Sequence, residues 1–149
     1  MRHRILFVCL GNICRSPSAQ AVVRAKARAR GLDLHLDSAG TGAWHVGEPP
    51  YGAMQKAARA RGYEMSDLRA RQVTVEDFNR FDLIVAMDEQ NLDDLKDLAA
   101  GTGQAGLCLM TDFAPGTGAT HVPDPYYTRD FDGTLDLIER CADGLLDQL

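Results

Sequence analysis

An α/β architecture, one parallel sheet with helices covering both faces, is what this sequence predicts. Short apolar runs alternate with helical segments in the order βαβαβαβα, and those runs are continuous, as strands buried on both sides are. The scale fits as well. A chain of 149 residues suits one domain, 1–149, large enough to bury roughly two thirds of the surface its unfolded form exposes.

Arg4 to Cys9 is a short apolar run ending in a glycine-containing loop, the mark of a buried strand. Ser16-Pro17-Ser18 carries helix-start chemistry, and Ala19 to Arg30 is rich in Ala, Arg and Lys until Gly31 stops it. Leu34-His35-Leu36 alternates into Ser38-Ala39-Gly40, giving a second strand and a turn. Residues 41–50 hold Gly, Pro and the sole tryptophan, Trp44, and read as a loop. Pro50 to Arg61 is a second helix, closed by Gly62. Thr74 to Phe81 is a short helical piece, with Thr74 and Asp77 spaced as a capping-box variant. Asp82 to Met87 is the third strand, Asp88 caps a helix running through Leu98, and Gly106 to Met110 is a weaker fourth strand. A long loop leads to Asp124-Pro125-Tyr126-Tyr127, and Gly133 to Gln148 forms the last helix. Ligands of such sheets bind beyond the carboxyl ends of the strands, near the point where strand order reverses. Cys9 and Asp88 both lie at strand ends.

Composition narrows the partners. Lys and Arg number 16 against 21 Asp and Glu, a net charge of −5. Nucleic acid and anionic membranes need a basic face and are not expected as main partners. An acidic protein that binds an anion must build a local positive pocket. Cys9, Cys14, Cys108 and Cys141 are too few and too scattered for a secreted disulfide scaffold. Met1-Arg2-His3-Arg4 followed by Ile5 to Leu10 imitates a signal peptide, but the apolar run is too short and Gly11-Asn12 interrupts it. No stretch approaches the length of a membrane span. A cytoplasmic location is the expectation, with no metal, because no Cys/His pair has ligand spacing.

The chemistry concentrates in Cys9-Leu10-Gly11-Asn12-Ile13-Cys14-Arg15-Ser16, between the first strand and the first helix. A connection of this kind gathers backbone N–H groups into one concavity, and the helix adds its positive end. Gly11 and Asn12 tolerate the left-handed backbone a tight anion cradle needs. Arg15 supplies a planar fork for two oxygens of a tetrahedral dianion. The same amides and Arg15 favour Cys9 as a thiolate, placed beneath a bound phosphate for in-line attack and a phosphocysteine intermediate. Ser16 can hydrogen-bond that sulfur. Asp124, its backbone held extended by Pro125, can overhang the pocket and protonate a leaving group, then activate water. A lone strand-end cysteine is usually a small buried hydrophobe; Arg15 and Ser16 at this spacing before a helix reverse that reading.

At this point the chain resembles the low-molecular-weight protein tyrosine phosphatases, over essentially its whole length. Phe7-Val8-Cys9-Leu10-Gly11-Asn12-Ile13-Cys14-Arg15-Ser16-Pro17 is similar to the family's N-terminal signature. Asp37-Ser38-Ala39-Gly40-Thr41, Ala70-Arg71-Gln72, Met87-Asp88 and Asp124-Pro125-Tyr126-Tyr127 follow in the family's order. The resemblance implies a single doubly wound, four-stranded parallel sheet of order 2-1-3-4. It implies Cys9 as nucleophile, Arg15 as phosphate clamp and Asp124 as general acid. Asn12, Ser16 and Ser38 are expected to support the loop, with Asp88 a further candidate. Leu10, Trp44, Tyr126 and Tyr127 are expected to wall the substrate ring. Cys14 is expected to pair reversibly with Cys9 under oxidation. No cofactor is called for, and inorganic phosphate or vanadate should inhibit. The expected partner is a phosphotyrosine-containing protein, and the expected state a monomer or weak self-association. Family members often carry histidine where this chain has Leu68, which implies a looser loop unless another polar group substitutes.

Two relatives of this fold compete. Phosphoarginine phosphatases look similar but place threonine at the position of Ile13, where an apolar side chain suits an aromatic ring. Arsenate reductases pass oxidation to cysteines after the third strand, and Asp88 to Ala100 holds none. A phosphate-binding module without catalysis would lack the nucleophile or the acid.

Overall fold

The computed structural model describes residues 3–149. Four strands, β1 (His3–Cys9), β2 (Leu34–Gly40), β3 (Leu83–Ala86) and β4 (Gly106–Leu109), pair in parallel in the order β2-β1-β3-β4. The helices are α1 (Arg15–Ala29), α2 (Gly52–Arg59), α3 (Asp77–Arg80), α4 (Glu89–Ala99), α5 (Pro125–Thr128) and α6 (Phe131–Asp147). The expected doubly wound sheet and its strand order are what the chain adopts.

The continuous apolar run of β1 finds its reason in two cores. Ile5, Phe7 and Cys9 point into a cluster built with Val22, Val23, Ile138 and Leu145 of α1 and α6. Leu6 and Val8 point the other way, against Phe78, Leu95 and Ala99 beside α3 and α4. Successive side chains of a strand alternate between faces, so a strand covered on both sides has no position left for a polar residue. Each large apolar side chain buried this way contributes about 1.5–3 kcal/mol.

Several boundaries differ from the sequence expectation. The second strand does not turn at Ser38-Ala39-Gly40 but pairs with β1 through Cys9↔Gly40. Residues 70–73 then add a backbone bridge to its end: Gly40 donates to Arg71 O at 2.8 Å, and Val73 donates back to Gly40 O at 2.9 Å. Glycine is required at 40 because a Cβ there would stand 2.7 Å from Leu10 O. The long loop after β4 is shaped by 3-10 turns at Met110–Phe113 and Pro115–Thr117. Asp77 forms half of the expected capping box, its carboxylate accepting from Thr74 N–H at 2.8 Å. No described helix is long and apolar enough to cross a membrane.

Candidate active site

The loop between β1 and α1 owes its shape to where its carbonyls go. Thr41 donates to Cys9 O, Gly42 to Leu10 O, Tyr51 to Ile13 O and Ser18 to Cys14 O, at 2.9, 2.9, 2.8 and 3.2 Å. With the carbonyls held outward, the amides face inward. Among the described residues no acceptor meets the N–H groups of Gly11, Ile13 and Cys14, while Asn12 N–H points at Cys9 Sγ, 3.2 Å away. Inward amides at a helix N-terminus make a cradle for an anion.

Asn12 is left-handed, with φ of 57°. Gly11 is not, so the left-handed role expected of it belongs to Asn12 alone. A Cβ on Gly11 would meet the His45 ring at 3.1 Å, so the approach of the Trp44-His45 loop is what favours glycine there.

Asn12 is locked from both ends of its amide. Its Oδ1 accepts from Arg71 N–H at 3.0 Å, which orients Nδ2 to donate to Ser16 Oγ at 2.7 Å and Ser38 Oγ at 3.0 Å. Ser16 Oγ therefore receives a proton from Asn12 and has its own free to give. Cys9 Sγ, at 3.0 Å, is a nearer recipient than Ala39 O at 3.4 Å. Ser38 in turn donates to Gln20 Oε1 at 2.7 Å. Asn12 thus takes its support from the Arg71 amide, and Gln20, on α1, stands one step behind it, accepting from Ser38. Leu68 packs against the main apolar core instead. Gln20→Ala is therefore expected to lower stability by about 1–2 kcal/mol, read from a denaturant midpoint, as Ser38 loses its buried acceptor. Leu68→His should not raise turnover, because Asn12 is already satisfied.

Arg15 lies across the cradle with its side chain 4% exposed. Its Nη1 donates to Asp88 Oδ2 at 2.7 Å and Val122 O at 3.0 Å, and its Nη2 stands 3.5 Å from Asp124 Oδ2. Burial works against its charge, but Cys9, Asp88 and Asp124 together hold the guanidinium above its ordinary range. Asp88 does two jobs: its Oδ1 caps α4 through Asn91 N–H at 2.8 Å while Oδ2 holds Arg15. Asp124 caps α5 through Tyr126 N–H at 3.1 Å. The segment before it is pinned to the sheet by Val122 N–H, which donates to Met87 O at 2.8 Å.

Cys9 and Cys14 are both buried and unpaired. Burial, then the charges of Cys9 and Asp124, push the Cys14 thiol up to about 12 against the pull of Arg15 and Arg129. Cys141 lies in the core and Cys108 is half-buried, and burial raises both thiols, to about 11 and about 12.

A mouth of about 300 Å³ opens above the loop, lined by Leu10, Gly11, Ile13, Trp44, His45, Asp124, Tyr126 and Tyr127. Trp44 and Tyr127 stand 73% and 74% exposed and Tyr126 41%, so these aromatics are walls and not core. Leu10, Trp44, Asp124, Tyr126 and Tyr127 line this mouth, and Cys9, Asn12, Arg15, Ser16, Ser38 and Asp88 are joined by hydrogen bonds in and around the loop beneath it. His45, Gln20, Arg71 and Val122 carried no local signal for their places. Only Arg71 lay in a segment the sequence had singled out, and the backbone amide that holds Asn12 is independent of its side chain.

An open parallel sheet with an amide cradle, a buried cysteine and a guanidinium at the carboxyl end of β1 defines a phosphate-handling α/β protein. The profile of the family "Low molecular weight phosphotyrosine protein phosphatase" matches residues 4–149, and the chain belongs to that family. It is 40% identical over 144 residues to the low molecular weight protein-tyrosine-phosphatase YfkJ of Bacillus subtilis, covering 95% of this chain and 92% of that protein. The crystal structure of YfkJ superposes with a TM-score of 0.95 at 39% identity, over 99% of this chain and 94% of that one. A Drosophila arginine phosphatase superposes with a TM-score of 0.92 at 30% identity, over 99% and 97% of the two chains.

Proposed function

We propose that this phosphatase hydrolyses phosphotyrosine in proteins, and small aryl phosphates, through a phosphocysteine at Cys9. The observation that carries the reading is the sulfur of Cys9 under inward amides, 3.2 Å from Asn12 N–H and 3.0 Å from Ser16 Oγ, with Arg15 beside it. The loop amides and Arg15 take the phosphate oxygens, and Cys9 attacks phosphorus in line as the phenolate leaves. Asp124 gives its proton to the departing oxygen and then takes one from the water that attacks the phosphocysteine, releasing phosphate and the free thiolate. Asp88 holds Arg15 in place, and Asn12, Ser16 and Ser38 hold the loop. Leu10, Trp44, Tyr126 and Tyr127 flank the ring. Phosphate and vanadate inhibit by occupying the loop, and Cys14 protects Cys9 by forming a disulfide under oxidation. The protein acts in the cytoplasm as a monomer or a weakly self-associating one.

Activity on phosphoarginine is the second reading, favoured by the likeness to the Drosophila arginine phosphatase. Ile13 argues against it: it lines the mouth with only apolar contact to offer, where a hydroxyl would serve a polar leaving group. The test is a panel of phosphotyrosine, phosphoserine, phosphoarginine and arsenate. Phosphotyrosine and aryl phosphates alone should turn over well. Ile13→Thr is expected to shift the phosphoarginine to phosphotyrosine ratio of kcat/KM upward by roughly tenfold. Phosphoarginine outpacing phosphotyrosine in the unmodified protein would overturn the assignment.

A further inference from the structure

Arg129 follows α5 at the edge of the aromatic wall, in a backbone conformation that side chains rarely adopt, with φ of 62°. Its side chain is held in one place. Nη1 donates to Tyr51 Oη at 2.7 Å, and the guanidinium lies over the rings of Tyr51 and Tyr126, 5.5 and 5.7 Å from their centroids. Tyr51 is itself fixed, edge-on to Tyr126 at 5.5 Å and stacked on Phe131 at 6.1 Å. Arg15, Arg24, Arg61 and Arg71 each hold a carboxylate. Among the described residues no carboxylate pairs with Arg129, and only Nη1 has a hydrogen-bond partner.

A groove of about 320 Å³ adjoins the mouth, sharing Ile13, His45 and Tyr126 with it and running on over Pro50, Tyr51 and Gly52. Arg129 stacks on Tyr51 and Tyr126, two of the residues that line this groove. Glu48 stands in the groove's lining, engaged by His45 Nδ1 at 2.5 Å.

We infer that Arg129 is a specificity-determining residue that selects phosphotyrosyl segments carrying an acidic side chain next to the phosphotyrosine. The neighbouring stretch of substrate lies in the groove over Pro50, Tyr51 and Gly52, and its carboxylate meets the free donors of the guanidinium. The inference rests on phosphotyrosine being the substrate. Its physical basis is charge complementarity: a protein of net charge −5 repels an acidic peptide in general, so an unpaired cation beside the site decides which acidic peptides dock. A guanidinium already stacked and bonded loses little freedom on pairing, which favours it over a free side chain.

The test compares kcat/KM for phosphotyrosyl peptides that carry Glu or Lys immediately before or after the phosphotyrosine and are otherwise neutral. At low salt the unmodified protein should prefer Glu over Lys on one side by roughly fivefold. Arg129→Gly suits the left-handed backbone and preserves the turn, and should bring that ratio to about one. Arg129→Glu should invert it. Added salt should shrink the preference in the unmodified protein. A ratio of one in the unmodified protein, or a ratio that survives both substitutions, overturns the inference while leaving phosphotyrosine hydrolysis intact. Failure of every phosphotyrosyl peptide to react would instead overturn the substrate assignment beneath it.

Discussion

Cys9→Ser is expected to lower phosphotyrosine turnover on the order of 10⁴-fold or more while phosphate binding persists. Serine fits where cysteine stood, so the cradle should remain: the carbonyls of Leu10 and Ile13 stay tied to Gly42 and Tyr51, and Arg15 stays on Asp88. What disappears is the sulfur nucleophile, because a serine hydroxyl stays un-ionised at neutral pH and attacks phosphorus poorly. Steady-state kinetics and phosphate binding by calorimetry separate the two effects. Turnover within tenfold of the unmodified protein would mean that sulfur does not attack phosphorus.

Asp124→Asn follows in size. Asparagine can keep the bond to Tyr126 N–H that starts α5, so the substitution removes the proton with little disturbance to the turn. Loss of a general acid costs roughly 10²–10⁴-fold. The loss in kcat/KM should depend on the leaving group, large for phosphotyrosine and small for aryl phosphates whose phenolate departs unaided. A plot of log kcat/KM against leaving-group pKa should steepen in the variant, because kcat/KM reports the transfer to Cys9 and not the later hydrolysis of the phosphocysteine. An equal loss for good and poor leaving groups would reassign Asp124 from proton donor to a mere partner of Arg15, from which it stands 3.5 Å.

The cradle was legible because its parts are contiguous. Cys9, Asn12, Arg15 and Ser16 sit in one strand-to-helix turn, where local backbone rules alone decide that amides converge. The sheet was legible for a similar reason: β1 from Ile5 to Cys9 and the whole of β3 are apolar without interruption, and only burial on both faces explains that. Asp124 was less accessible. An Asp-Pro pair reads as an ordinary turn until the family resemblance places it, and what brings it to Arg15 is the bond from Val122 to Met87 at the end of β3. The support of Asn12 was not legible at all. Gln20 looks like one polar residue of a helix, and Arg71 holds the loop with a backbone amide, which every non-proline residue possesses.

By itself the sequence determined the sheet, its helices and the reactive turn, because hydrophobic periodicity and helix-start chemistry act over a few neighbouring residues. Tertiary structure alone decided which distant groups meet that turn: Gln20 behind Ser38, Asp88 and Asp124 on Arg15, and Arg129 stacked on Tyr51 with no carboxylate partner among the described residues. Those meetings depend on how layers dock at the carboxyl edge of the sheet. Docking is set by packing across the whole core, which no short window of residues contains.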